Sequence, residues 1–300
     1  MKASHLPPIT QQIQTAPFWL LGIAAGLAAI QITLASRLED GGLMALSGLC
    51  WLAVGSLLWE KYTQLKFNSG IFASTLGVLL IVGVLLKSTI LPSQGFLAIS
   101  PFLSALGVGL LASGFRNLRQ YWRELVILFF IGWPHNLLKA FLEVPTTLGR
   151  SPLDLSIPTA NLGTLLLVYT GFDVKLQGVV ITLPGGSVEV NEACSGVDTM
   201  FYLLSLAVLF LVMFPLKERW KTMITPIVAV TLAFLVNGAR VALLAVVSAQ
   251  QDKEAFNYWH HGQGSLLSTM CAVFLFGIFC WFIQQDLQSA DPDPVDVTCP

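Results

Sequence analysis

The segment Val188-Glu-Val-Asn-Glu-Ala-Cys-Ser-Gly196 marks the point where a strand-like stretch ends and a long apolar helix begins. Val188 and Val190 alternate with polar residues, whereas the sequence after Gly196 is almost entirely apolar. Cys194 lies at this junction. The first N–H groups of a helix are unpaired and carry partial positive charge, which favours a thiolate over a thiol. The segment therefore predicts a reactive cysteine at the boundary of a membrane helix.

The composition is that of a polytopic membrane protein. Of the 300 residues, 55% are hydrophobic and only 11% are charged, which is about half the charged fraction of a soluble domain. The net charge of −1 gives no overall field that would suggest a nucleic-acid partner. Among the five cysteines there is no Cys-x-x-Cys pair and no Cys/His pair at zinc-ligand spacing, so we predict no metal site.

Apolar runs separated by turn residues predict an all-α membrane domain that comprises residues 1–300. About eight transmembrane helices are predicted, at 17–35, 42–60, 70–91, 97–115, 123–143, 195–215, 222–249 and 264–284. The first five form a scaffold part, 1–143, and the last three form the part that carries the candidate site, 194–285. An acidic tail, 286–300, follows on the cytoplasmic side.

Residues 144–193 interrupt this pattern with several prolines and charges. Within them, 160–172 is apolar but too short to span a bilayer, so we predict an interfacial half-helix. Residues 174–190 predict two short strands around the turn Leu183-Pro184-Gly185-Gly186. A two-stranded hairpin is marginally stable alone, so we expect it to pack on the membrane domain.

Lysine and arginine positions predict the orientation in the membrane. With eight spans, the connecting segments on one side carry nine of these residues and those on the other side carry four. The positive-inside rule then places both termini in the cytoplasm and residues 144–193 outside the plasma (inner) membrane. Cys194 and His260 come to lie near the outer face, and Arg240 in the outer half of the seventh helix.

Three groups suited to thiol chemistry thus converge on one face. Cys194 could attack an amide carbonyl and form a thioester. His260 could take the thiol proton and later protonate the leaving amine, because an imidazole titrates near neutral pH. Arg240 could stabilise an oxyanion or the thiolate. Asn237 lies on the same helical face as Arg240 and could orient His260 or donate to a substrate carbonyl.

Each residue also has a structural interpretation. A cysteine at a helix start is usually structural. Arg240 could extend to the outer interface or pair with Glu189 or Glu192. His260 and His261 could belong to an interfacial belt. Asp198 could contact a basic group of a substrate or stabilise the helix dipole.

The motifs together resemble the exosortase/archaeosortase family of membrane-embedded cysteine transpeptidases, and most closely its cyanobacterial branch, the cyanoexosortases. They are Glu192-Ala193-Cys194-Ser195-Gly196, then Asn237-x-x-Arg240, then His260 with Gly264 four residues later. The resemblance covers roughly 155–285. His261 stands where many relatives have an acidic residue, which leaves the choice between the two histidines slightly open.

This resemblance implies that Cys194 is the nucleophile, His260 the general acid/base and Arg240 the transition-state stabiliser. Family members act on exported proteins whose C-terminal sorting signal has a short motif such as Pro-Glu-Pro, a transmembrane helix and a basic cluster. No metal or organic cofactor is implied. Two other functions stay open: a transporter in which Arg240 binds an anion, and a non-enzymatic component of an export assembly in which Arg240 is structural.

Overall fold

The computed structural model describes residues 16–37, 41–90, 93–132, 155–191, 194–260 and 262–289. Glu192, His261, the predicted end of the fifth helix and residues 290–300 lie outside these ranges. The chain divides into two compact units, Met1–Leu137 and Leu138–Pro300, and we describe each by itself. The single membrane domain of residues 1–300 stays a prediction.

The first unit is helical wherever it is described, apart from short connections. Its elements are α1 (Ala16–Arg37), α2 (Gly41–Lys61), α3 (Ile71–Ile90), α4 (Gln94–Asn117) and α5 (Trp122–Phe129), with 3₁₀ turns at Tyr62–Gln64 and Leu118–Tyr121. Long apolar sequences favour helices here because a helix satisfies every backbone polar group within a lipid bilayer.

Close backbone approach and buried hydrogen bonds hold these helices together. Gly77 of α3 lies against α4, and a Cβ atom at Gly77 would lie 2.6 Å from the Gly107 carbonyl oxygen. Small residues permit such contact where lipid provides no hydrophobic driving force. The Gln31 side chain of α1 donates to Ser47 Oγ at 2.9 Å and accepts from Trp51 Nε1 at 3.3 Å, which joins α1 to α2.

Helices α4 and α5 form an antiparallel pair. The α4 helix breaks at Gly114, whose φ of 67° lies in the left-handed region. The chain then turns through Leu118–Tyr121, and the ring of Phe129 packs against that of Phe102 with centroids 5.5 Å apart. The stretch Gly95–Phe129 therefore forms two antiparallel helices. This agrees with the predicted helices at 97–115 and 123–143, the second of which is described as far as residue 132.

The second unit is a helical bundle with a small sheet at one end. Its elements are α6 (Ser156–Tyr169), β1 (Lys175–Gln177), β2 (Val180–Leu183), β3 (Gly186–Glu189), α7 (Val197–Met213), α8 (Arg219–Ala249), α9 (Lys253–His260) and α10 (Gln263–Ser289). Helix α8 is central, since α6, α7, α9, α10 and the sheet all pack against it. The short helix α9 was not predicted.

The sheet has three antiparallel strands in the order β1–β2–β3, so the prediction of two strands was incomplete. Ile181 pairs with Val188, as the predicted hairpin requires, and Leu176 of the additional strand pairs with Ile181. The sheet packs on the C-terminal part of α8, where Ile181 and Val188 are buried with Val241. The expected packing of the hairpin on the helices is therefore present.

The predicted half-helix is present, although it starts earlier than expected. Helix α6 has 14 residues, Ser156–Tyr169, and its rise of about 21 Å is shorter than a hydrocarbon core of about 30 Å. Thr159, Ala160 and Gly163 are buried on the face that lies against α8.

Six helical stretches among the described residues are long and apolar enough to cross a membrane, so the chain is a multi-pass membrane protein. They are Trp19–Arg37, Gly42–Gln64, Ile71–Ile90, Gly95–Phe129, Arg219–Ala249 and Gly264–Gln285. Helix α7 is apolar but has 17 residues, which is below the usual spanning length of about 20. The predicted count of eight spans is not confirmed.

Substitution Gly186→Val is expected to detach the sheet from α8. A Cβ atom at Gly186 would lie 2.4 Å from the Ser248 carbonyl oxygen, which is backbone and cannot rotate away. We expect an unfolding midpoint lower by about 5 °C in a detergent-solubilised thermal melt followed by tryptophan fluorescence. Gly277→Val is the control, because a Cβ atom at Gly277 has no neighbour within 4 Å and the backbone there is not left-handed. An equal effect of both variants would contradict close docking of the sheet.

Candidate active site

The loop that carries Cys194 is held by hydrogen bonds from three sides. The Cys194 N–H donates to the backbone oxygen of Asn191 at 3.0 Å and to its side-chain oxygen at 3.1 Å. The Asn237 amide of α8 donates to the Cys194 carbonyl at 2.8 Å. The Thr159 hydroxyl of α6 donates to the Ser195 carbonyl at 3.0 Å. The backbone on both sides of the sulfur is therefore fixed by α6, α8 and the end of the sheet.

Gly196 allows the chain to leave this loop and enter α7. It is the N-cap of α7 with φ 83°, a conformation that favours glycine. A Cβ atom there would lie 2.5 Å from the Asn237 amide carbon, so glycine also makes room for the amide that holds Cys194.

His260 lies opposite Cys194 at the end of α9. Its Nε2 atom is 3.0 Å from the Cys194 sulfur, although the two residues are 66 positions apart in the chain. The imidazole stacks on Phe256, one turn earlier, with ring centroids 5.2 Å apart and planes 13° apart. This packing restricts the rotation of the ring and keeps Nε2 directed at the thiol.

Arg240 connects α8 to the end of α9. Its Nη2 donates to the His260 carbonyl at 2.9 Å and its Nε donates to the Trp259 carbonyl at 3.4 Å. A cation that donates to the last carbonyls of a helix satisfies unpaired acceptors and interacts favourably with the helix dipole. The guanidinium thus fixes the backbone of His260 while lying close enough to Cys194 to affect its ionisation.

Burial and charge act in opposite directions on the Cys194 thiol. Cys194 is 2% exposed, and this burial raises the pKa of its thiol above the ordinary value, while the positive charge of Arg240 lowers it by a smaller amount. Burial therefore favours the thiol form. The expectation that the start of the helix would favour a thiolate is outweighed by burial, so attack by Cys194 requires removal of the proton.

We expect alkylation of Cys194 by iodoacetamide to be slow at pH 7 and to keep rising above about pH 8.5, the ordinary pKa of a cysteine. Arg240→Gln removes the positive charge that lowers the pKa of the Cys194 thiol. The pH profile of its alkylation rate should therefore shift to higher pH. Arg240→Lys keeps the positive charge, and its pH profile should lie between those of the unmodified chain and Arg240→Gln. Mass spectrometry of the Cys194 peptide measures the rates. A profile unchanged by Arg240→Gln would contradict the electrostatic coupling.

The structure brings together four of the residues selected from the sequence: Cys194, His260, Arg240 and Asn237. Asn237 contacts the Cys194 carbonyl and not the imidazole, which differs from the expected orientation of His260. Ser195 is buried, and its carbonyl accepts the hydrogen bond from α6. Among the other supporting residues, Asp198 is exposed in the first turn of α7, and Glu192 and His261 lie outside the described residues.

Three residues that shape the site were missed in the sequence. Thr159 and Asn191 hold the cysteine loop, and Phe256 supports the imidazole. Asn191 could have been found, because an asparagine three residues before a backbone N–H often closes a turn. Thr159 could not, since only tertiary packing brings α6 under Ser195.

In the part of the chain that the structure describes, no group of three or more His, Cys, Asp or Glu side chains could hold a metal ion.

Comparison with known families identifies the chain. The model of the transmembrane exosortase family (Exosortase_EpsH) matches residues 38–277, which include all of the site described above. The chain belongs to the transmembrane exosortase family. No match was found among curated proteins or among solved structures. Membership of this family is consistent with a role in processing sorting signals. The matched region also includes the scaffold helices, for which the sequence offered no motif.

Proposed function

We propose that this exosortase is a cysteine peptidase or transpeptidase that cleaves the C-terminal sorting signals of exported proteins through a thioester at Cys194. The observation that carries the proposal is the 3.0 Å contact between the Cys194 sulfur and His260 Nε2. A nucleophile and a base within hydrogen-bond distance, with the base oriented by further groups, is the arrangement that nucleophilic catalysis requires. Phe256 and Arg240 orient the base here.

In the first step, His260 removes the thiol proton as the sulfur attacks the carbonyl carbon of the scissile amide. The resulting tetrahedral intermediate collapses, the carbon–nitrogen bond breaks, and the imidazolium returns the proton to the leaving amine. The product is a thioester between Cys194 and the exported protein. Because burial raises the pKa of the Cys194 thiol, the base is needed to form the nucleophile.

Arg240 has the capacity to stabilise the intermediate as well as to hold α9. A guanidinium has five N–H donors, and the hydrogen bonds to Trp259 and His260 occupy two of them. The remaining donors can bind the oxyanion that develops on the substrate carbonyl, where a positive charge is most effective. A second nucleophile, water or an acceptor amine, then attacks the thioester and regenerates Cys194.

The proposed site faces the extracytoplasmic side of the plasma (inner) membrane, and both termini are cytoplasmic. Support comes from the lengths of α7 and α8. The 17 residues of α7 extend only about 26 Å from the cysteine loop toward Lys217 and Arg219, so α8 is the helix whose length matches a full crossing. Arg240 follows Arg219 by 21 residues, or about 32 Å, which is close to the thickness of a hydrocarbon core. The positive-inside rule assigns the Lys217–Arg219 end to the cytoplasm.

A tripartite sorting signal fits this location. A transmembrane helix with a basic cluster at its cytoplasmic end would place the preceding motif at the outer interface, near Cys194. The substrates are thus exported proteins with a PEP-CTERM-like tail, and the lipid bilayer is the second partner. The closer relation to the cyanobacterial branch is part of this proposal, and it rests on the motifs around Cys194, Arg240 and His260.

The proposal is tested with a secreted reporter that carries a motif–helix–basic cluster tail and is co-expressed with the full chain. We expect a shorter reporter on a gel, and no shortening when the motif is deleted from the tail. Rapid denaturation should trap a covalent adduct on the Cys194 peptide that neutral hydroxylamine releases, as expected of a thioester. Cleavage without any such adduct, at a rate that is unchanged in Cys194→Ala, would rule out the thioester route.

A further inference from the structure

A shallow cavity, open to the surface, gathers positive charge in the first unit at the junction of three helix ends. Its volume is about 640 Å³, and it lies where α2 ends and where α4 turns into α5. Five cationic side chains line it: Lys61, Lys66, Arg116, Arg119 and Arg123. The other lining residues are Gln64, Asn117, Gln120 and Trp122.

Only one of these five charges is neutralised within the described part of the chain. Lys61 Nζ lies 2.8 Å from Glu124 Oε1, and this pair joins α2 to α5. Glu60, the neighbour of Lys61, does not line the cavity, and no other carboxylate among the described residues does. Four cations therefore face one space, which favours a ligand with negative charge.

The wall of the cavity is cross-linked by hydrogen bonds. The Gln120 side chain accepts from the Lys66 N–H at 3.1 Å and donates to the Lys66 carbonyl at 3.3 Å. It also donates to Ser113 Oγ at 2.7 Å, and Lys61 Nζ donates to the Gln120 carbonyl. Helix ends that carry cations are expected from the positive-inside rule alone. The hydrogen bonds of Gln120 to Lys66 and Ser113 are not, and they fix the backbone that carries these cations.

Aromatic side chains place the cavity at the depth of lipid headgroups. Trp122 lines it and is exposed, and the Arg123 guanidinium lies over its ring at 5.8 Å. Trp59 and Tyr62, on either side of Lys61, are also exposed. Exposed tryptophan and tyrosine rings concentrate at the interface between the hydrocarbon core and water.

We propose that this cavity binds a phosphate group, and that its source is the headgroup of an anionic phospholipid on the cytoplasmic side. Arginine matches phosphate because its guanidinium donates two parallel N–H groups to two oxygens of the same anion. Basic pockets between membrane helices on the cytoplasmic side are suited to such headgroups. Arg116 and Arg119 provide the exposed guanidinium groups.

Native mass spectrometry of the delipidated full chain tests the proposal, with phosphatidylglycerol and phosphatidylcholine titrated separately. We expect phosphatidylglycerol to bind about tenfold more tightly, and Arg116→Gln/Arg119→Gln to remove most of that difference without changing the affinity for phosphatidylcholine. The matched control is Lys217→Gln/Arg219→Gln, which removes two exposed cations from the second unit and should leave the difference intact. Thermal melts confirm that each variant is folded.

A parallel titration with inorganic phosphate identifies the source of the group. Preference for phosphatidylglycerol assigns the site to a lipid headgroup. Phosphate binding that needs Arg116 and Arg119, with no preference between the lipids, keeps the phosphate site but assigns a soluble ligand. Equal losses in both double variants, or no binding of either ligand, would overturn the proposal.

Discussion

Cys194→Ala is expected to abolish processing of a tailed reporter, with a loss of at least about a thousandfold in rate. The methyl group of alanine cannot form a thioester, and no other cysteine among the described residues is placed beside an imidazole. Cys194→Ser should also lose most activity, because a hydroxyl is a weaker nucleophile than a thiol at the same base. The readout is the ratio of processed to unprocessed reporter at equal membrane levels of each variant.

The matched control is Cys271→Ala, the same substitution on the exposed face of α10. It should process the reporter at the rate of the unmodified chain. If Cys194→Ala instead processes normally, Cys194 is not the nucleophile. The alternative in which the chain is a non-enzymatic component, with Arg240 in a structural role, would then be preferred, since Arg240 does hold the end of α9.

His260→Gln is expected to lower the processing rate by about a thousandfold, within the range for loss of a general acid/base. Glutamine can keep a hydrogen bond near the sulfur but cannot accept the thiol proton at neutral pH. Because burial raises the pKa of Cys194, little thiolate forms without the base. Raising the assay pH should therefore recover part of the activity of His260→Gln, by increasing the thiolate fraction directly.

His261→Gln is the matched control for this prediction, since it makes the same change one residue later. We expect it to retain most activity, because His260 is the residue whose Nε2 contacts the sulfur. A large loss in His261→Gln together with near-normal activity in His260→Gln would assign the base to the second histidine.

The membrane character and much of the site could be read from the sequence. Long apolar runs exclude charged side chains because burying an unpaired charge in lipid is costly, so the multi-pass character is visible in the sequence, although the predicted count of eight spans is not confirmed. For the same reason Arg240, a permanent charge within an apolar run, is a functional candidate on sequence grounds alone. The residue types of Cys194, Arg240 and His260 predict thiol chemistry, and their motifs resembled the exosortase family, to which the match over residues 38–277 assigns the chain.

The remaining features depend on the packing of distant segments. Local patterns did not reveal α9, whose eight residues carry both polar and aromatic side chains. The third strand was missed because Lys175–Gln177 is short and pairs with Val180–Leu183 through tertiary contacts. The sequence also predicted that Cys194 favours the thiolate, whereas burial raises the pKa of its thiol. A helix start is visible in the sequence, but burial against α6 and α8 is not.

The sequence by itself determined a multi-pass helical membrane protein, and it predicted that a cysteine, an arginine and a histidine meet near one membrane face. Apolar length and residue chemistry suffice for that. Only the tertiary structure decided that His260 Nε2 contacts the Cys194 sulfur, that Asn237 and Thr159 hold the cysteine loop, and that Arg240 caps α9. Contacts of about 3 Å between residues 20 to 66 positions apart depend on how helices pack, and packing is a property of the whole chain.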